Sequence, residues 1–314
     1  MIVHRHVLTG PWCLVLLIAL AGCGDGASRT ASDGRSFAKE TGAALAQPPE
    51  ARALTLTKIA YRRAKAKDEL GAEETFQQAM AACREIKDPA ALVEAYSLLA
   101  EAHTRLGNVQ AAQYVAKSAT EAIGRIHDAD AKSRSLVTLA EVHALAKDIA
   151  AATENLKSAE QAAAEIKGAD GSADAYGRTL ALGRVAAGYL TAGQADQSER
   201  VIREAVGQAE SLQQERLRAV AVAEIALTLE KAKRPEVAAK VFDKAVAAAR
   251  QIAKPQPKAY ALAEVAQKLA AAGQHPRARQ LLEEADTVAH QIPEADQQQQ
   301  AVVKIRQIMD ELRK

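Results

Sequence analysis

Alanines recur along this chain at a fixed interval. Ala60, Ala100, Ala140, Ala186, Ala226 and Ala266 are separated by 40, 40, 46, 40 and 40 residues, and Ala79, Ala119, Ala159, Ala205, Ala245 and Ala285 keep the same spacing. Two series in register over most of a 314-residue chain identify one unit copied six times. A single copy of this length cannot bury its own apolar face, so neighbours must stack. The product is one elongated array with a long surface, not two domains each closed around a pocket.

Alignment on the alanines gives the rest of the unit. Four residues before the first alanine stand Leu56, Tyr96, Leu136, Leu182, Val222 and Leu262, and directly before it Ile59, Leu99, Leu139, Val185, Ile225 and Val265. Twelve residues after it come Ala72, Ala112, Ala152, Ser198, Ala238 and Ala278, and the unit closes with Ile86, Ile126, Ile166, Leu212, Ile252 and Ile292. Offsets of three, four and seven are the helical period, so each copy is two amphipathic helices. No segment shows strand-like alternation between turn residues, and the fold class is all-α. The turn inside each copy is polar: Lys67-Asp68, Gly107-Asn108, Lys147-Asp148, Gly193-Gln194, Lys233-Arg234 and Gly273-Gln274. Gly107, Gly193 and Gly273 suit a left-handed helix terminus, and Pro235 and Pro276 suit the first turn of the helix that follows. Asp88-Pro89, Asp128-Ala129-Asp130, Pro255-Gln256-Pro257 and Pro293 mark the turns between copies. The single 46-residue interval places an insertion at Gly168-Ala169-Asp170-Gly171-Ser172, expected as a longer loop.

Over about residues 51 to 294 these columns resemble the tetratricopeptide repeat (TPR) family. The last copy carries the pattern throughout: Leu262, Val265, Ala266, Gly273, Ala278, Leu282 and Ala285. Small residues on both helices let the backbones approach, and Phe76, Leu156, Ile202, Phe242 and Leu282 fill the space beside them. The period departs from the usual 34 residues. About six residues are added to the second helix, where the family's proline would fall and Arg84, Gly124, Ala164, Glu210, Arg250 and His290 stand. A period near 40 also fits HEAT or armadillo arrays, but the turn glycine and the alanine columns favour the TPR pattern. The resemblance implies a right-handed α-solenoid of six hairpins, at about 51–90, 91–130, 131–170, 173–214, 215–254 and 255–294. A capping helix over 295–314 follows, with Ala301, Val302, Ile305, Ile308, Met309 and Leu312 as its apolar stripe.

The resemblance also implies where a partner binds, since such arrays use the inner face lined by their first helices. The matching columns hold Leu54, Glu94, Arg134, Leu180, Val220 and Tyr260, then Tyr61, Glu101, Glu141, Ala187, Leu227 and Gln267. The Lys- and Asn-rich clamp of chaperone-binding members is not among them. A lining that is acidic in the early copies and apolar in the late ones suits an extended or helical peptide of a partner protein; a solvated face with packing residues is the alternative.

At the N-terminus, Arg5 precedes an apolar run from Trp12 to Ala21 that ends in Leu20-Ala21-Gly22-Cys23. So short a run behind a positive charge reads as an export signal, not a membrane span. Small residues before a cysteine resemble the lipobox of bacterial lipoproteins, which implies cleavage after residue 22, acylation of Cys23 and a lipid-anchored, periplasm-facing protein. Gly24 then looks like an outer-membrane address in a Gram-negative cell. A plain signal peptide, or a retained anchor, is the other reading. Residues 23–50 are expected to form a flexible tether averaging roughly 30 Å, with a short helix near Phe37 to Leu45 as the alternative.

Composition narrows the function. Cys13 would leave with the signal and Cys23 would be acylated, so Cys83 is left without a partner for a disulfide and reads as a small buried residue. No phosphate-binding glycine loop, zinc-protease motif or nucleophile elbow is present. His103 and His143 share a column one repeat apart, about 10 Å, which suits packing better than a shared metal. No catalytic residue, metal or cofactor is expected. With 41 basic and 39 acidic residues the chain lacks the charge excess that nucleic acid requires. The functional expectation is a membrane-tethered, non-enzymatic adaptor. A structural or self-assembling envelope component is the alternative, and an enzyme or small-molecule binder would need an enclosed polar pocket.

Overall fold

The computed structural model describes residues 26–168 and 174–312, with side chains from residue 36 onward. The regular secondary structure in these residues is fourteen α-helices. An N-terminal helix, α1 (Gly26–Leu45), leads into six hairpins. These are α2 (Pro49–Lys65) with α3 (Glu69–Glu85), α4 (Pro89–Arg105) with α5 (Val109–Ile123), and α6 (Ala129–Leu145) with α7 (Ile149–Ala164). Then come α8 (Ala175–Thr191) with α9 (Ala195–Glu210), α10 (Glu215–Lys231) with α11 (Pro235–Gln251), and α12 (Pro255–Ala271) with α13 (His275–Ala289). The final described helix is α14 (Ala295–Glu311). The chain is an all-α solenoid.

Local chemistry sets the helix ends. The carboxylates of Asp68, Asp88, Asp128, Asp148 and Asp174 accept from the backbone N–H three residues on, at 2.7–3.1 Å. Each such cap stabilises its helix by about 1 kcal/mol. At the other end of every first helix one residue turns left-handed. Gly107, Gly193 and Gly273 do so at φ near 76–78°, and Lys67, Lys147 and Lys233 take the same conformation at 64, 62 and 59°. In all six copies the next N–H reaches back five residues, as Asn108 does to the His103 carbonyl at 2.9 Å and Asp148 to His143 at 2.9 Å. This is the Schellman closure, which satisfies carbonyls the helix leaves open.

The two alanine series form the contact line inside each hairpin, and every member is at most 1% exposed. Ser198 stands in an alanine column without penalty because its buried hydroxyl donates to the Ala186 carbonyl at 2.9 Å. Leu156, Phe242 and Leu282 are fully buried beside the alanines, and Phe76 and Ile202 nearly so.

Each first helix packs against the first helices before and after it, while each second helix packs on its own first helix and on the next one. The first helices therefore form a continuous inner layer. Between α7 and α8 the connection is longer than the Gly124–Asp128 link between α5 and α6, and residues 169–173 of the expected insertion lie outside the described residues. Its base is closed by the Ile166 carbonyl, which accepts from Arg178 Nε at 3.0 Å. Beyond it Gly188 lets α8 approach α7, since a Cβ there would stand 2.6 Å from Leu156 Cδ2.

The structure departs from the expected tether. α1 is helical to Leu45 and packs on α2, with Ala44 buried, Glu40 paired with Arg62, and the Phe37 ring 5.7 and 5.6 Å from the Arg62 and Arg63 guanidinium carbons. Phe37, Thr41 and Ala44 are a stripe too thin to stand out in a Gly-, Ala- and Ser-rich sequence, yet it covers the open side of α2. At the far end α14 packs on both α12 and α13, where a seventh first helix would stand. Its Val302 and Ile305 are buried, 40 residues beyond Leu262 and Val265.

Candidate binding groove

One face of each first helix looks into the concave side of the array. Leu54, Glu94, Glu101 and Glu141 from the two expected columns gather around one cavity of about 540 Å³, together with Lys58, Ser97, Leu98, Arg105 and Leu145. Across it stand Thr191 at the end of α8 and Lys231 and Lys233 at the end of α10. The curl of the solenoid brings the fifth hairpin opposite the first three. A second cavity, about 690 Å³ and largely apolar, adjoins the first and shares Lys58, Leu98, Glu101 and Arg105 with it. Tyr61, Ala43, Ala44 and Ala102 line this part, so α1 forms one of its walls.

Charges are distributed unevenly along the groove. In the late copies they are paired within the protein. Arg216 holds Glu264 through two bonds of 3.0 and 2.5 Å, Lys268 pairs with Glu224, and Tyr260 lies between Arg216 and Lys304, both within 5.4 Å of its ring centre. Arg184 and Arg134 share Asp130. In the early copies Glu101 pairs with Arg105 at 2.8 Å, but Glu94, Glu141 and Lys58 form no side-chain hydrogen bond or ion pair among the described residues, and neither do Lys231 and Lys233 of the fifth hairpin. Glu141 keeps solvent contact, yet it sits low in the concave face. The surrounding protein, and secondarily the Glu101 carboxylate, raise its carboxyl above the usual range.

The remaining expected residues divide. Arg134 and Gln267 are exposed, and Leu180 and Tyr260 are half-buried. Val220 and Leu227 of α10 are buried, and Leu227 belongs to the continuous hydrophobic core. The sequence reading missed the column between the two it named, Lys58, Leu98, Thr138, Arg184, Glu224 and Glu264. It lies four residues after the first column and three before the second, so helical spacing alone could have supplied it.

The groups singled out for chemistry are packing groups. The His103 ring is stacked 4.3 Å from Phe76, buried and with Nδ1 unpartnered. Burial lowers its pKa, with Glu73 opposing. His143 is half-buried with its pKa also lowered by burial, and its Nδ1 is 3.9 Å from Asp148. Cys83 is fully buried and its thiol is pushed up to about 12 by desolvation, which suppresses the reactive thiolate. Among the described residues no three His, Cys, Asp or Glu side chains are grouped so as to hold a metal ion, and no helix is long and apolar enough to cross a membrane. Cys23 lies outside the described residues.

No protein-family model matches the sequence, and no curated protein matches it. Among solved structures the chain is similar to Ton1535 from Thermococcus onnurineus NA1, with 16% identity over 88% of this chain and 96% of that one and a TM-score of 0.41. It is similar to a putative kinesin light chain from Podosopora anserina with nearly identical TPR-like repeats, with 19% identity over 66% and 98% and a TM-score of 0.32. It is also similar to a Rap protein complexed with competence and sporulation factor, with 14% identity over 83% and 76% and a TM-score of 0.32. These likenesses lie in the fold alone. The chain's own helix pairing defines its class, an α-solenoid of TPR-like hairpins.

Proposed function

We propose that this protein is a membrane-tethered, non-enzymatic scaffold of a bacterial cell envelope that holds a peptide or partner protein along its concave groove. The observation that carries this reading is the pair of adjoining cavities over α2, α4 and α6, where apolar lining and unpaired charges of both signs remain exposed. A groove with its own charges left unpaired is suited to a polar partner, and the adjoining apolar part supplies burial. The anchor is Cys23, whose surroundings resemble a lipobox; several acyl chains on it would hold the array at a bilayer where one alone is marginal.

Photo-crosslinking in the native cell tests the groove. A crosslinker at Leu98 should yield a discrete adduct that one at Tyr114, exposed on α5, does not; adducts at neither position, or equally at both, count against the reading. Labelled palmitate should enter the protein and be lost in Cys23→Ala, and labelling that persists in the variant removes the lipoprotein assignment. A second reading, a self-assembling envelope component, is favoured by exposed Leu70, Val109 and Ile149, which stand at the starts of three successive second helices. Sedimentation of the chain lacking residues 1–22 separates the two, because a monomer at micromolar concentration excludes self-assembly.

A further inference from the structure

Resting on the reading of the groove as a peptide site, we infer the occupant's chemistry. It is an extended segment of a partner protein in which basic and acidic side chains alternate, the basic ones against Glu94 and Glu141 and the acidic ones against Lys231 and Lys233. The two sets line one cavity, Glu94 and Glu141 on α4 and α6 with Lys58 of α2 beside them, and the two lysines at the end of α10. Successive side chains of an extended peptide point to opposite faces, so a strand lying between walls of opposite sign satisfies both only if its charges alternate. A run of like charges would meet one wall with attraction and the other with repulsion.

Four features of the site support this occupant. Farther along the groove Arg216 neutralises Glu264 and Lys268 neutralises Glu224, whereas the charges lining this cavity, Glu94, Glu141, Lys231 and Lys233, are left unpaired. Ser97 lines the same cavity, is 3% exposed, and its Oγ has no hydrogen-bond partner. An unsatisfied buried hydroxyl is a cost that a ligand's backbone group would remove. Glu141, held above the usual carboxylate range by its surroundings and by Glu101, would be relieved by a cation beside it. The adjoining apolar cavity at Tyr61, Leu98 and Ala102 has room for one apolar side chain next to the charged stretch.

The test uses two fluorescein-labelled peptides of one composition: a leucine followed by three lysines and three glutamates, either alternating or in two blocks. Their binding to the chain is read by fluorescence polarisation at low salt. The alternating peptide should bind about tenfold more tightly, a difference of about 1.4 kcal/mol. In Glu94→Gln/Glu141→Gln that preference should vanish while circular dichroism stays unchanged, since both side chains are exposed. Equal or tighter binding of the blocked peptide overturns the alternation and leaves the groove reading standing. A preference that survives in the double variant places it elsewhere and overturns the site. Binding of neither peptide overturns both this inference and the groove reading beneath it.

Discussion

Tyr189 donates a hydrogen bond of 2.5 Å to Glu160, tying α8 to α7 across the one junction where the repeat spacing slips. Arg200 of α9 grips both oxygens of the same carboxylate at 2.8 and 2.7 Å. Three helices thus meet on one carboxylate, and the buried Tyr189 hydroxyl is held protonated, its pKa raised by burial and then by Glu160. A hydrogen bond from a buried hydroxyl to a charged acceptor contributes about 1.5–3 kcal/mol. Tyr189→Phe should therefore lower stability by about 1.5–2 kcal/mol in urea unfolding, at the lower part of that range because Arg200 still neutralises Glu160. In a solenoid the loss concentrates at the weakened interface, so amide exchange should rise in α7 and α8 before it rises in α12. Uniform acceleration along the chain would refute this assignment.

His103 should make the protein acid-sensitive above the carboxylate range. Its folded pKa lies below its unfolded one because burial against Phe76 disfavours the cation, and nearby Glu73 only partly compensates. A group with a depressed folded pKa binds more protons when unfolded, so its contribution is whole above the unfolded value near 6.5 and is lost as pH falls through that value towards the folded pKa. The fourth to sixth copies have Tyr189, Leu229 and Leu269 in this column. Urea unfolding of the native chain and His103→Leu at pH 8 and pH 5.5 gives the check: the variant should lose less stability on acidification. An equal loss would assign the sensitivity elsewhere.

Lys67, Lys147 and Lys233 adopt the left-handed conformation that glycine takes in the alternate copies. A side chain there costs about 1–2 kcal/mol in Cβ crowding, partly offset by the flexibility glycine adds to the unfolded chain. Lys147→Gly should stabilise by about 0.5–1 kcal/mol, seen as a higher urea midpoint with unchanged slope. Gly193→Ala should move the midpoint the other way. A destabilised Lys147→Gly would show that the lysine side chain makes an offsetting contact.

The hairpins were legible because their contact line is written in the smallest side chains. A column such as Ala60 to Ala266 tolerates nothing larger, so it repeats without drift, and the turn glycines mark where each first helix stops. The lysines in the same turn position gave no such signal, since a lysine does not announce a positive φ. The groove was only half legible. Glu94, Glu101 and Glu141 stand in columns that the resemblance to the TPR pattern implies, but their meeting with Lys231 and Lys233 depends on curl summed from small rotations between repeats, which no single column encodes. Leu227 differs for a related reason: it occupies a groove column, but α10 packs against both α8 and α12 and Leu227 joins the core there.

The alanine column changes character at α14. Its next position, 40 residues beyond Ala266, is Arg306, whose side chain is 61% exposed and 3.6 Å from Asp286. With Arg306 in that position α14 presents a charged outer face where the other first helices present a small one. The same substitution at two positions of this column should therefore have opposite consequences. Ala226→Leu forces extra methylenes into a site with no exposure and should cost about 3 kcal/mol or more, with partial unfolding of the fifth hairpin. Arg306→Leu replaces an exposed side chain in a weak ion pair and should stay within about 0.5 kcal/mol. Urea unfolding followed by circular dichroism measures both. Comparable losses would mean that α14 is closed off by something other than solvent.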